Sequence, residues 1–166
     1  MRWSIQATDK AKANNGGKNL KTEANVLFVG FKGINNSSAL LVDLLSSHKF
    51  LLTNSFTGIK KDIDSLPAEY DAVYLFGADK NLTDSFRIEK YAERNGIQLS
   101  TILDTEDIRK KLAHAGITSA ISNAPTHYLC NEAYWWMLEK YKGKAGLIHI
   151  PTIKHFDGKK YSSLRF

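Results

Sequence analysis

From Asn25 onward, short apolar runs alternate with stretches whose apolar residues recur at helical spacing. VLFVGF, residues 26–31, is a continuous apolar run and predicts a buried strand. Asn36, Ser37 and Ser38 supply a helix cap, and a helix over 39–47 puts Leu40, Leu41, Leu44 and Leu45 on one face. A second strand is expected over 50–56. A weakly helical linker over 59–66 is stopped by Pro67. DAVYLFG, residues 71–77, is a third buried strand. Residues 86–93 alternate loosely and read as a strand or extended edge, and 97–103 as a further strand. Asp104 and Thr105 cap a helix over 106–115, stopped by Gly116. Residues 117–122 form a strand, and a helix follows to about Tyr141. AGLIHIP, ending at Pro151, is the last buried strand, and the tail over 152–166 has no assigned element.

Strands alternating with helices predict a single α/β domain: three α/β/α layers around a mostly parallel central sheet. In such a sheet the working site lies beyond the carboxyl ends of the strands. The stretch that draws attention there is 122–141, SNAPTHYLCNEAYWWMLEKY. It carries the single cysteine, Cys130, where a loop turns into a helix. Behind it Ala133, Tyr134, Met137, Leu138 and Tyr141 fall on one buried face. Unpaired backbone N–H groups at a helix start favour a thiolate, and the thiolate is the form that attacks carbonyls. The plainer reading is a buried cysteine acting as a small hydrophobe.

A cysteine nucleophile needs a base, and the base needs an orienting partner. Of five histidines, His48 and His114 sit late in helices where they serve structure, and His155 lies in the unassigned tail. Two remain. His149 ends a strand directly after the cysteine helix, and His127 is three residues before Cys130. Asp79, Asp84, Glu89, Glu93 and Asp104 all stand in suitable regions for the carboxylate, and pattern alone does not choose among them.

Composition changes little. The apolar fraction of 43% and charged fraction of 24% over 166 residues suit one globular domain. No apolar run is long enough to span a bilayer, and no secretory apolar core opens the chain, so it reads as cytoplasmic. Half of the net charge of +6 falls on residues 1–24, which lack periodicity and read as a flexible basic arm before a domain over 25–166. The remaining cations are interleaved with acids, so nucleic acid is not an expected partner. GFKGIN, residues 30–35, sits where a phosphate-binding turn would, but lacks the third glycine of the dinucleotide fingerprint and the Gly-Lys-Ser/Thr of a P-loop. No Cys pair or helical His pair offers a metal site.

Several stretches together resemble the pyroglutamyl peptidases (pyrrolidone-carboxylate peptidases), a family of cysteine peptidases. SNAPTHYLCN is similar to the motif around that family's nucleophile, and GLIHIP to the Gly-Phe-Ile-His-Val-Pro around its histidine. VLFVGF is similar to its first strand. FRIEKYAER resembles the segment carrying its glutamate, and LSTILDTEDIRKKLAHAGI the helix before the cysteine motif. The resemblance implies Cys130 as nucleophile, His149 as general base and acid, and Glu89 as orienter of the imidazole. It implies Phe31, Ile34, Gly77, Ala78, Ser122 and Asn123 around the substrate. It also implies release of an N-terminal pyroglutamyl or related residue from a peptide or small amide, through a thioester, with no metal or cofactor. The segment that follows the family's glutamate and most of its last helix have no counterpart here. A second reading is therefore a non-catalytic relative that binds partners on the same scaffold. The short C-terminus leaves one sheet face to be covered, by the tail 152–166 or by self-association.

Overall fold

A computed structural model describes residues 23–166; most of the expected arm therefore lies outside the described residues. A six-stranded sheet forms the middle layer, built from β1 (Val26–Phe31), β2 (Lys49–Leu52), β3 (Ala72–Asp79), β4 (Ser85–Glu89), β7 (Thr118–Ser122) and β8 (Ala145–Pro151). Its order is β2-β1-β3-β8-β4-β7. Every neighbouring pair is parallel except β4 and β8, which run antiparallel. β5 (Tyr91–Arg94) and β6 (Ile97–Ser100) form a separate hairpin. The helices are α1 (Ser37–Leu45), α2 (Phe56–Ser65), α3 (Thr105–His114), α4 (Leu129–Lys140) and α5 (Gly158–Tyr161).

The period of two along each strand sorts side chains onto two faces. On one face Leu27, Val29 and Phe31 of β1, Val73 and Leu75 of β3, and Leu147 of β8 pack with Ile59 and Ile63 of α2 and Ala133, Tyr134, Met137 and Leu138 of α4. On the other, Tyr74, Phe76, Phe86, Ile88, Ile148 and Ile150 pack with Leu41, Val42, Ile108 and Leu112 of α1 and α3. With both faces covered, continuous apolar runs are what the central strands require. β8 is buried at every position. Fully burying a side chain such as Leu75 or Ile148 contributes about 1.5–3 kcal/mol.

The caps expected at Asn36 and Asp104 form: Asn36 accepts from the Ser38 N–H, and Asp104 from the N–H groups of Glu106 and Asp107. Other stretches depart from expectation, and the strand expected over 97–103 ends at Ser100. The strand over 50–56 stops at Leu52, because Ser55 accepts from the Gly58 N–H and starts α2 at Phe56. The segment 86–93 is two strands, not one. β4 enters the large sheet, the chain turns at Lys90, and β5 pairs with β6 across Asn95 (φ 53°) and Gly96 (φ 75°). Positive φ at both turn residues makes the tight hairpin whose twist suits its strands, and Asn-Gly is the pair that tolerates it.

The tail also orders. After a 3-10 turn at Ile153–His155 and the short α5, Tyr161 and Leu164 are buried and the Phe166 ring stacks 4.5 Å from that of Tyr74. Phe28 and Phe76 complete the cluster. The tail thus closes the sheet face left open beside α1 and α3. No helix among the described residues is long and apolar enough to cross a membrane.

Candidate active site

Strand register assembles the site. His149 of β8 lies opposite Gly77 of β3 on one side and opposite Arg87 of β4 on the other. Directly paired residues share a face, and so do residues two apart on a strand. Gly77, Asp79, Arg87, Glu89 and His149 therefore all project on the α4 side. α4 opens above them. A Cβ built on Gly77 would stand 2.5 Å from Cys130 Sγ and 3.3 Å from His149 Cδ2. Sulfur and imidazole edge thus flank the same point over a residue with no side chain.

Two further contacts fix α4 at this height. The Asn131 side chain clamps the backbone of Glu93 on β5, accepting from its N–H at 2.9 Å and donating to its carbonyl at 2.7 Å. The Tyr134 hydroxyl donates to the Glu89 carbonyl at 3.0 Å. Helix packing and polar contacts together hold Cys130 to the strand that carries Glu89.

His149 Nδ1 lies 2.8 Å from Glu89 Oε1. The carboxylate is an acceptor only, so Nδ1 carries the hydrogen between them. Both side chains are nearly sealed from solvent, Glu89 at 1% exposure and His149 at 5%. Burial by itself raises the Glu89 carboxyl, but hydrogen bonds from His149 and Arg87, with their charges, outweigh it and hold the group below its ordinary range. Asp79 is held low as well: the Asn81 N–H and Arg87 overcome its burial. The second oxygen of Glu89, Oε2, is buried without a partner, as is the hydroxyl of Thr126.

The thiol departs from expectation. Cys130 is the second residue of α4, but Tyr128 caps the helix without a side-chain hydrogen bond. Burial pushes the thiol up to about 12, the charges of Asp79 and Glu89 push the same way, and only its own backbone N–H pulls down. Desolvation outweighs the helix terminus here and favours the protonated thiol.

A cavity of about 420 Å³ opens over the sulfur, lined among others by Ala78, Asp79, Arg87, Thr126, His127 and His149. Of the residues expected around a substrate, Gly77 lies beneath Cys130 and Ala78 lines the cavity. Phe31 is buried in the core at 3% exposure, and Ile34 is fully exposed on the loop after β1, so neither forms a wall of this cavity. Ser122 shapes the loop before α4 through hydrogen bonds with Ala124, and Asn123 is exposed on that loop. His127 lines the cavity mouth, whereas His48 bonds the Tyr70 hydroxyl at 2.9 Å far from it. Arg87 is the residue that sequence reasoning missed. Its Nε donates to Glu89 Oε1 at 2.6 Å and its Nη2 to Asp79 Oδ2 at 2.8 Å. The signal was its spacing of two from Glu89, legible only once 85–89 is known to be one strand. Among the described residues no group of three His, Cys, Asp or Glu side chains is arranged to hold a metal ion.

A cysteine, a histidine oriented by a buried carboxylate and an α/β scaffold that brings them to strand ends define a protein with the layout of a thiol hydrolase. Solved structures narrow the fold. Pyrrolidone carboxyl peptidase from Thermococcus litoralis superposes with a TM-score of 0.66 at 20% identity, over 77% of this chain and 76% of that one. The Thermus thermophilus pyrrolidone carboxyl peptidase gives 0.63 at 20% identity, over 76% and 84%. Bacillus amyloliquefaciens pyroglutamyl peptidase I gives 0.65 at 14% identity, over 85% and 95%. At these identities the likeness is one of fold: the chain has the pyrrolidone carboxyl peptidase fold. No protein-family model and no curated protein matches it.

Proposed function

We propose that the protein is a cysteine peptidase or amidohydrolase of the pyroglutamyl peptidase type, with Cys130 as nucleophile, His149 as general base and acid, and Glu89 as orienter. The observation that carries this is the 2.8 Å Glu89–His149 contact beside a sulfur seated on Gly77. In the reaction, Sγ bonds to the substrate carbonyl carbon as its proton passes to His149 Nε2. The Asn131 and Glu132 N–H groups are taken by the Tyr128 carbonyl, so in this reading the Cys130 backbone N–H, which donates to no backbone carbonyl, receives the oxyanion. The C–N bond breaks, the amine leaves with the proton from His149, and a thioester remains on Cys130. Water, deprotonated by His149, then releases the acid and restores the thiol.

The substrate is a peptide or small amide with a free pyroglutamyl or related end. Hydrolysis of a pyroglutamyl-aminocoumarin amide tests the reading: turnover by the native protein, abolished in Cys130→Ser, supports it, and equal background in both refutes it. A second reading, a non-catalytic binding protein, is favoured by the removal of Phe31 and Ile34 from the cavity wall. It predicts no haloacetamide labelling of native Cys130 near neutral pH. The reading further holds that the protein acts in the cytoplasm.

A further inference from the structure

Arg87 stands directly across the β4–β8 ladder from His149, and its Nη2 comes within 3.4 Å of His149 Nδ1. Nδ1 already carries the hydrogen given to Glu89, so this approach is not a second hydrogen bond. It sets a fixed cation beside the imidazole. The same guanidinium shares Glu89 Oε1 with His149 and reaches Asp79 with its other arm. A planar fork that bridges two carboxylates is a geometry lysine does not reproduce.

Among the described residues, the charged and titratable groups around the imidazole are Asp79 from β3, Arg87 and Glu89 from β4 and the Cys130 thiol from α4, with Lys80 and His127 at the cavity lining. Without Arg87 the ring would face two carboxylates, and the cation balancing them from the sheet would be gone. We infer that Arg87 is a positioning residue: it holds the Glu89 carboxylate for His149 and, through its charge, sets the pH range in which Cys130 and His149 share a single proton. This inference rests on the assignment of Cys130, His149 and Glu89 made above.

The sign follows from the charges. The reactive pair holds one proton between sulfur and ring; the doubly protonated pair, thiol with imidazolium, is inert. Removing a cation beside the ring stabilises the imidazolium, so the inert form persists to higher pH. The acid limb of activity then moves toward alkaline pH, by about one unit for a charge so close. Removing Asp79's charge does the reverse.

The test is the pH dependence of Cys130 alkylation by iodoacetamide, beside hydrolysis of the pyroglutamyl-aminocoumarin amide. It compares native protein with Arg87→Met, Arg87→Lys, Asp79→Asn and His149→Ala. Arg87→Met is expected to move the acid limb up by about one unit and to lower the plateau roughly tenfold or more. Arg87→Lys should return the limb but not the plateau, because a point charge does not bridge Glu89 and Asp79. Asp79→Asn, which leaves Arg87 in place, should move the limb to lower pH and serves if Arg87→Met does not fold. Limbs that superimpose on the native profile after scaling would overturn the role of Arg87 while leaving the enzyme reading intact. An alkylation profile unchanged by His149→Ala would overturn both.

Discussion

Cys130 Sγ rests on the bare backbone of Gly77, where even a methyl group would meet the sulfur at 2.5 Å. Gly77 needs no unusual backbone angle; what it supplies is room. The sheet floor is cut away at Gly77, and the sulfur is lowered into that gap beside the imidazole. The contact separates two properties that core substitutions usually mix, because the added carbon would meet the sulfur before anything else.

Gly77→Ala should accordingly displace the sulfur with little effect on the fold. Amide hydrolysis is expected to fall by about a hundredfold or more, the scale on which small misplacements act. The thermal midpoint should stay within a few degrees of the native value. Paired measurements of kcat and Tm check this; a large loss of Tm would mean that the clash spreads into the sheet.

A buried thiol pushed up to about 12 needs a base to react near neutral pH, and on the proposed assignment that base is His149. His149→Ala should slow iodoacetamide labelling at pH 7 by about a hundredfold or more, since general bases contribute on that order. Labelling of the variant should recover only as the pH approaches that of the bare thiol. Mass spectrometry of timed aliquots provides the rates.

Acid stability follows from Glu89 and Asp79. Both carboxyls are held below their ordinary range in the folded state. Their contribution is complete above the unfolded values of about 4 and is lost as pH falls through the lower folded values. The native protein should lose Tm steeply below about pH 4, and Glu89→Gln should be less stable at pH 7 with a flatter acid slope. Thermal melts between pH 2.5 and 7 measure both, and parallel curves would remove Glu89 from the explanation.

Asn131→Ala should cut the clamp between α4 and β5. Two hydrogen bonds to the half-buried Glu93 backbone are lost, a cost of about 1–2 kcal/mol. Urea unfolding gives the stability change. Catalysis should fall too, because the helix that carries the sulfur is no longer tied to the hairpin after Glu89.

What could be read from the residues was the framework. AGLIHIP forms a strand over the expected seven residues, and Ala133, Tyr134, Met137, Leu138 and Tyr141 form the buried face of the cysteine helix, because both patterns depend only on local periodicity. Glu89 was reached by resemblance, and its place beside His149 needed the antiparallel pairing of β4 with β8, a relation between segments 60 residues apart. The raised thiol was out of reach for a similar reason: proximity to a helix start is local, whereas its desolvation comes from the sheet below and the helix around it. Ile34 was expected beside the substrate, yet the loop carries it into solvent. Arg87 went unseen because one loose alternation over 86–93 concealed a break at Lys90.

The insertion of β8 between β3 and β4 has a last consequence. Glu89 comes from a strand before the hairpin, Cys130 from a helix after β7, and His149 from the strand threaded last through the middle of the sheet. A chain that has not admitted that strand has no imidazole beside Glu89 or beside the sulfur. On the proposed assignment, the loss of electrophile uptake by Cys130 in His149→Ala thus reports that this last strand is seated in the native sheet.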